Sequence, residues 1–125
     1  MNKKELIETW FKMWVNQKDT GIDMIFTKDI IYMESIGTHY SGIEEIKRWF
    51  KDWNLNNRVV EWNILSFKEI DDVCYVEWYF KMEDGKKALD FNGESTIYFK
   101  DDKICDLKEY MSLIPNVDPF AKKTL

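Results

Sequence analysis

Three side chains in this sequence have the chemistry for proton transfer. Glu109 interrupts an apolar register of Cys105, Leu107 and Met111 on a strand-like run. Strand side chains alternate between faces, so that register points inward. A carboxylate placed there costs several kcal/mol unless it is paired or neutralised. Glu34 closes another run, on the parity of Ile30 and Tyr32; the opposite parity, Ile31 and Met33, is also apolar, so both registers stay open. His39 is the only histidine and lies between Gly37 and Gly42. Histidine shuttles protons near neutral pH.

Two titrating groups whose surroundings push their pKa values apart make an acid and a base. The reactions open to them are cofactor-independent isomerisation, cyclisation or dehydration. Glu34 would take a proton, and Glu109 or His39 would return one. Each residue also has a plain structural reading. Glu109 sits at a wet rim or is satisfied by Tyr32, Trp10 or Ser95; Glu34 is an exposed strand-end acid; His39 is a solvated loop residue.

A second group of residues could hold a ligand. The chain has six tryptophans in 125 residues. A core fills best with compact aliphatic side chains, whereas concave small-molecule pockets are aromatic-lined. Trp10, Trp14, Trp49, Trp53, Trp78 and Phe91 would line a pocket for an apolar or aromatic molecule, with Tyr32, Phe80, Ser95 and Leu107 beside them. The competing reading is an aromatic core with no ligand.

The bulk composition narrows the field. Net charge is -5, and Lys and Arg are scattered among acids. Without a basic stripe, neither nucleic acid nor an anionic membrane surface is an expected partner. The N-terminus runs straight into an amphipathic pattern, so a signal peptide and a membrane span are not expected. A cytoplasmic protein is the expectation, with Cys74 and Cys105 as reduced thiols. One His and two distant Cys do not make a usual zinc site, and no cofactor is called for.

The elements that must position these residues can be read from periodicity. Lys3 to Gln17 reads as a helix with Leu6, Ile7, Trp10, Phe11, Met13 and Trp14 on one face. Asp19 or Thr20 caps a short second helix carrying Ile22, Ile25 and Phe26. Asp29 to Ser35 is β-branched and aromatic, hence a strand, and Gly37 marks a turn. Ser41-Gly42-Ile43-Glu44 fits a capping box before a helix with Ile46, Trp49, Phe50 and Trp53. Strands follow at Arg58 to Phe67, Val73 to Met82, Lys87 to Phe99 and Lys103 to Ser112, with a hairpin signal at Asp84-Gly85. From about residue 113 an extended tail is expected. The order predicts one α+β domain over residues 1–125: a mostly antiparallel, strongly bent sheet of five or six strands packed against three helices.

Several local runs share a pattern with a known family. They are Gly37-Thr38-His39-Tyr40-Ser41-Gly42, then Ile46, Trp49-Phe50 and Trp53, then Val60-Glu61-Trp62 and Val76-Glu77-Trp78-Tyr79-Phe80. Phe91-Asn92-Gly93-Glu94-Ser95, Lys103-Ile104 and Glu109-Tyr110 complete the set. In order and spacing the chain resembles the SnoaL-like group of the nuclear transport factor 2-like (NTF2-like) superfamily, which also contains ketosteroid isomerase. The resemblance implies a cone with a curved sheet around a deep pocket, commonly in a homodimer. Tyr75, Tyr79 and Tyr98 on the outward registers suit such an interface. It also implies that Glu34, in Glu34-Ser35-Ile36-Gly37, stands at the isomerase base position. The oxyanion tyrosine position falls near Phe11 and the second oxyanion acid near Ser95, neither of which supplies that group, so steroid isomerisation is not implied. Glu109 falls where several SnoaL-like cyclases use a carboxylate.

Overall fold

The computed structural model describes residues 1–114 and 117–121. Helix α1, Lys3–Asn16, buries every residue of the predicted apolar face. Its start is a capping box that the sequence reading did not propose: the Asn2 side chain accepts from the Glu5 N–H at 2.8 Å, and Glu5 Oε1 accepts from the Asn2 N–H at 3.1 Å. These bonds satisfy donors a helix terminus leaves free. Asp19 Oδ1 takes the N–H groups of Gly21 and Ile22 ahead of α2, Ile22–Ile25.

Strand β1, Phe26–Met33, begins three residues earlier than the sequence reading places it. Ile30 and Tyr32 point into the core and are fully buried. Glu34 and Ser35 lie past the strand, in a turn closed by the Glu34 N–H donating to Thr38 O and the Gly37 N–H donating to Glu34 O. Strand parity therefore does not decide where Glu34 points. The segment after this turn, expected to continue as loop, is a short strand β2, His39–Ser41, paired with β1.

Helix α3, Ile43–Asn56, starts without the predicted Ser41/Glu44 capping box. Ser41 is held as a strand residue opposite Ile31, so the helix cap moves to Gly42, at φ 88. Glu45, not Glu44, reaches back and accepts from the Ser41 N–H at 2.7 Å. The positive φ explains a glycine at this corner.

Four long strands complete the sheet: β3 Arg58–Ile70, β4 Val73–Glu83, β5 Ala88–Lys100 and β6 Lys103–Ser112. The strand order is β2-β1-β6-β5-β4-β3. All neighbours are antiparallel except β1 and β6, which run parallel, so the sheet is mixed. The turns Asp71-Asp72 and Asp101-Asp102 hold both central residues at positive φ, the twist that suits two-residue hairpins.

Bulges bend the strands and re-aim side chains. In β3 the pairing shifts at Val60 and again at Leu65. Val59, Trp62, Ile64 and Phe67 consequently share the inner face at a spacing of three, two and three residues. In β6, Phe99 pairs with Ile104 but Tyr98 with Asp106, leaving Cys105 as the extra residue. Ile104, fully buried, takes the inward position assigned from the sequence to Cys105. Leu107 and Glu109 keep theirs, both buried, while Met111 emerges partly exposed. The inner sheet face, α1 and α3 enclose one contiguous apolar core.

Candidate functional site

A cavity of about 290 Å³ opens between α1, α3 and the inner face of the sheet. That is near the lower bound for small-molecule sites, about 300 Å³. Trp14 comes from α1, Trp49 and Trp53 from α3, Trp62 from β3, Trp78 and Phe80 from β4, and Phe91 from β5. Val59, Met82, Leu89 and Ile36 add apolar surface, and Tyr40 closes one side. Tyr40 stacks on Trp49 with centroids 4.4 Å apart and planes 15° from parallel. Trp49 also meets Trp14 at 4.8 Å. Trp62 stands at a near right angle to both Trp78 and Phe80.

Trp78 is seated by two features of β5. Its Nε1 donates to Ser95 Oγ at 2.8 Å. Its ring lies over Gly93, its cross-strand partner, where a Cβ would fall 2.2 Å from the indole. Only glycine leaves room for that ring. The indole N–H groups of Trp14 and Trp62 are buried with no hydrogen-bond partner. Each lone donor costs about 1–3 kcal/mol.

Glu109 and Glu34 both line this cavity. Glu109 is 6 % exposed. Burial pushes its carboxyl up to about 8, and the negative charge of Glu34 adds to the rise. The Tyr32 hydroxyl and the Ser35 backbone N–H act in the opposite direction. At neutral pH the group is therefore mainly a neutral acid. Glu34 is half-buried; burial raises its pKa, while a hydrogen bond from the Thr38 side chain opposes that rise. The Tyr40 hydroxyl is pushed up to about 12, by burial first and then by Glu34.

Behind the cavity wall lies a polar chain. Trp10 Nε1 donates to the Tyr32 hydroxyl at 3.2 Å, and Tyr32 donates to Glu109 Oε2 at 2.5 Å. Trp10 and Tyr32 are both fully buried. Burial, above all, holds the Tyr32 pKa well above the ordinary tyrosine value, so it stays protonated.

The residues named from the sequence thus separate into two layers. Trp14, Trp49, Trp53, Trp78, Phe80 and Phe91 face the cavity together with Glu34 and Glu109. Trp10, Tyr32, Ser95 and Leu107 are not on its lining but in the packed layer around it. His39 is exposed on β2 and does not reach the cavity. The sequence reading missed Trp62 because the Val60 bulge breaks two-residue alternation. It missed Tyr40 because the segment was read as a turn. Among the described residues no group of three or more His, Cys, Asp or Glu could hold a metal ion, and no helix is long and apolar enough to cross a membrane.

The family of the SnoaL-like domain matches residues 7–107. No curated protein matches the chain. Solved structures similar to it include a protein with a ketosteroid isomerase-like fold from Catenulispora acidiphila, in complex with trimethylamine. It is 18% identical with a TM-score of 0.74, over 90% of this chain and 88% of that one. An LEH-like epoxide hydrolase of M. tuberculosis has a TM-score of 0.77 at 13% identity, over 86% of this chain and 76% of that one. An NTF2-like protein of unknown function from Exiguobacterium sp. has a TM-score of 0.72 at 14% identity, over 86% of this chain and 98% of that one.

Proposed function

The chain belongs to the SnoaL-like domain family, and on that footing we propose that residues 1–125 are one small-molecule-binding domain whose cavity takes a compact apolar or aromatic ligand. The observation that carries this reading is the cavity itself: a space of about 290 Å³ walled by aromatic rings, with only a few polar groups at its surface. Such walls favour flat apolar ligands through area burial and edge-to-face ring contacts. Quenching of tryptophan fluorescence by 1-naphthol tests it. Trp49→Ala and Trp78→Ala should each weaken binding about tenfold or more, because truncating an aromatic anchor removes much of the buried contact. Unchanged affinity in both variants would refute the site.

A second reading has specific support. Glu34 and Glu109 share the cavity while Glu109 is buried and Glu34 half-buried. That difference suits a cofactor-independent acid–base enzyme, with Glu109 as acid and Glu34 as base. The similarity to an epoxide hydrolase fold is compatible with it. His39, exposed and off the lining, is the weaker candidate for the acid.

The protein is further proposed to form a homodimer through the outer sheet face, where Tyr75 and Tyr79 are half-buried and Tyr98 is 43 % exposed. Sedimentation of a monomer at micromolar concentration would overturn this. Two free cysteines, Cys74 and Cys105, suit the reducing cytoplasm.

A further inference from the structure

The two oxygens of Glu109 are not equivalent. Oε2 meets the Tyr32 hydroxyl, and the Tyr32 oxygen meets Trp10 Nε1. An indole N–H can only donate. The Tyr32 oxygen is therefore an acceptor towards Trp10, and its single hydrogen is left for Glu109. Tyr32 is fully buried, so water does not compete for that hydrogen. The chain runs one way, from Trp10 through Tyr32 to Oε2. Oε2 accepts the short bond from Tyr32, and in a neutral carboxyl the carbonyl oxygen is the stronger acceptor, so the hydrogen falls to Oε1. Tyr32 lies off the cavity lining whereas Glu109 lies on it, which leaves Oε1, the oxygen not engaged by Tyr32, to serve the cavity side.

We propose that Trp10 and Tyr32 are positioning residues that confine the acidic hydrogen of Glu109 to Oε1, so that the cavity offers a hydrogen-bond donor to a ligand bearing an acceptor oxygen, such as an aromatic carbonyl compound. The proposal deepens the reading of the cavity as a ligand site and rests on it for its ligand half only. The titratable groups facing Glu109 are Tyr32 on β1 and Glu34 in the turn after it. Ser95, its partner on β5, does not titrate. Lys108 and Tyr110 alternate to the other side of β6 and are exposed. The Ser35 backbone N–H is the weakest of the influences on the carboxyl.

The relay is tested without a ligand. The Glu109 carboxyl is followed against pH by ¹³C NMR of glutamate-labelled protein, with Glu109→Gln assigning the signal. Tyr32→Phe removes a donor to the charged form, so the midpoint should rise by about one pH unit. Were the hydrogen on Oε2 and donated to Tyr32, the same variant would remove an acceptor from the neutral form and the midpoint would fall. Trp10→Phe should raise it by less, because it only weakens Tyr32 as a donor, and it stands in if Tyr32→Phe does not fold. A purely structural pair would lower the melting temperature and leave the midpoint in place, which would overturn the proposal.

The ligand half uses acetophenone and ethylbenzene, which differ chiefly in the carbonyl. Below pH 7 acetophenone should quench tryptophan fluorescence at least fivefold more tightly, and the advantage should vanish in Glu109→Leu and above pH 9. Equal affinities would refute the donor. Binding of neither would refute the cavity reading, while the titration still decides the relay.

Discussion

Replacing Gly93 by alanine probes the wall of the cavity through one methyl group. The added Cβ would lie 2.2, 2.5 and 2.6 Å from three carbons of the Trp78 six-membered ring. Carbon atoms rest about 3.5–4.0 Å apart, so the ring must retreat by more than an ångström. It is rigid, tied by Nε1 to Ser95 Oγ and wedged against Trp62 and Phe91. The retreat leads into the cavity that Trp78 lines. Overpacking costs about 1–3 kcal/mol, and breaking the buried Trp78–Ser95 bond adds about 1–3 kcal/mol. A loss of roughly 2–6 kcal/mol follows, or about 6–24 °C in melting temperature for a chain of this size. Thermal melting and 1-naphthol quenching are the assays, and both stability and binding should fall. A Gly93→Ala, Trp78→Phe double variant should recover part of the loss, because the two positions are coupled. Wild-type melting together with wild-type binding in Gly93→Ala would refute the seating of Trp78 on Gly93.

Glu109 also ties stability to pH. The folded protein holds this proton up to about pH 8, whereas the unfolded chain loses it near the ordinary glutamate value of 4.5. The folded state binds more protons between those limits, so stability should fall as pH rises across them, by about 5 kcal/mol over the whole window. Urea unfolding at pH 5.5 and pH 8 should show that slope in the wild type and a flatter one in Glu109→Gln; parallel slopes would contradict the buried neutral acid. In the Asp71-Asp72 turn, Asp72 sits at φ 67. Asp72→Gly relieves a left-handed side chain and should stabilise by about 0.5–1 kcal/mol, read as a higher urea midpoint with an unchanged slope.

What local periodicity alone could determine here, it did. The face of α1 from Leu6 to Trp14 and the alternation of Val76, Trp78, Phe80 and Met82 in β4 follow from the geometry of one helix and one strand. So does the inward run of Phe91, Ser95 and Ile97 in β5. Glu109 was visible for the same reason, as a carboxylate on an apolar register. Wherever the chain departs from ideal period, that reading breaks. The Val60 bulge hid Trp62, the bulge at Cys105 exchanged it for Ile104, and pairing with β1 turned His39–Ser41 into a strand and displaced the cap of α3. The parallel pairing of β1 with β6 joins segments far apart in sequence, and no local signal carries it. That pairing sets Tyr32 opposite Leu107 and brings its hydroxyl to Glu109, 77 residues away. Tertiary structure likewise decided which tryptophans line the cavity. Trp10 and Trp14 share one helical face, four residues apart, yet Trp14 reaches the cavity wall while Trp10 is sealed against Tyr32 and Phe26. Position on a face is a property of one element; position on a cavity depends on where the other elements leave space.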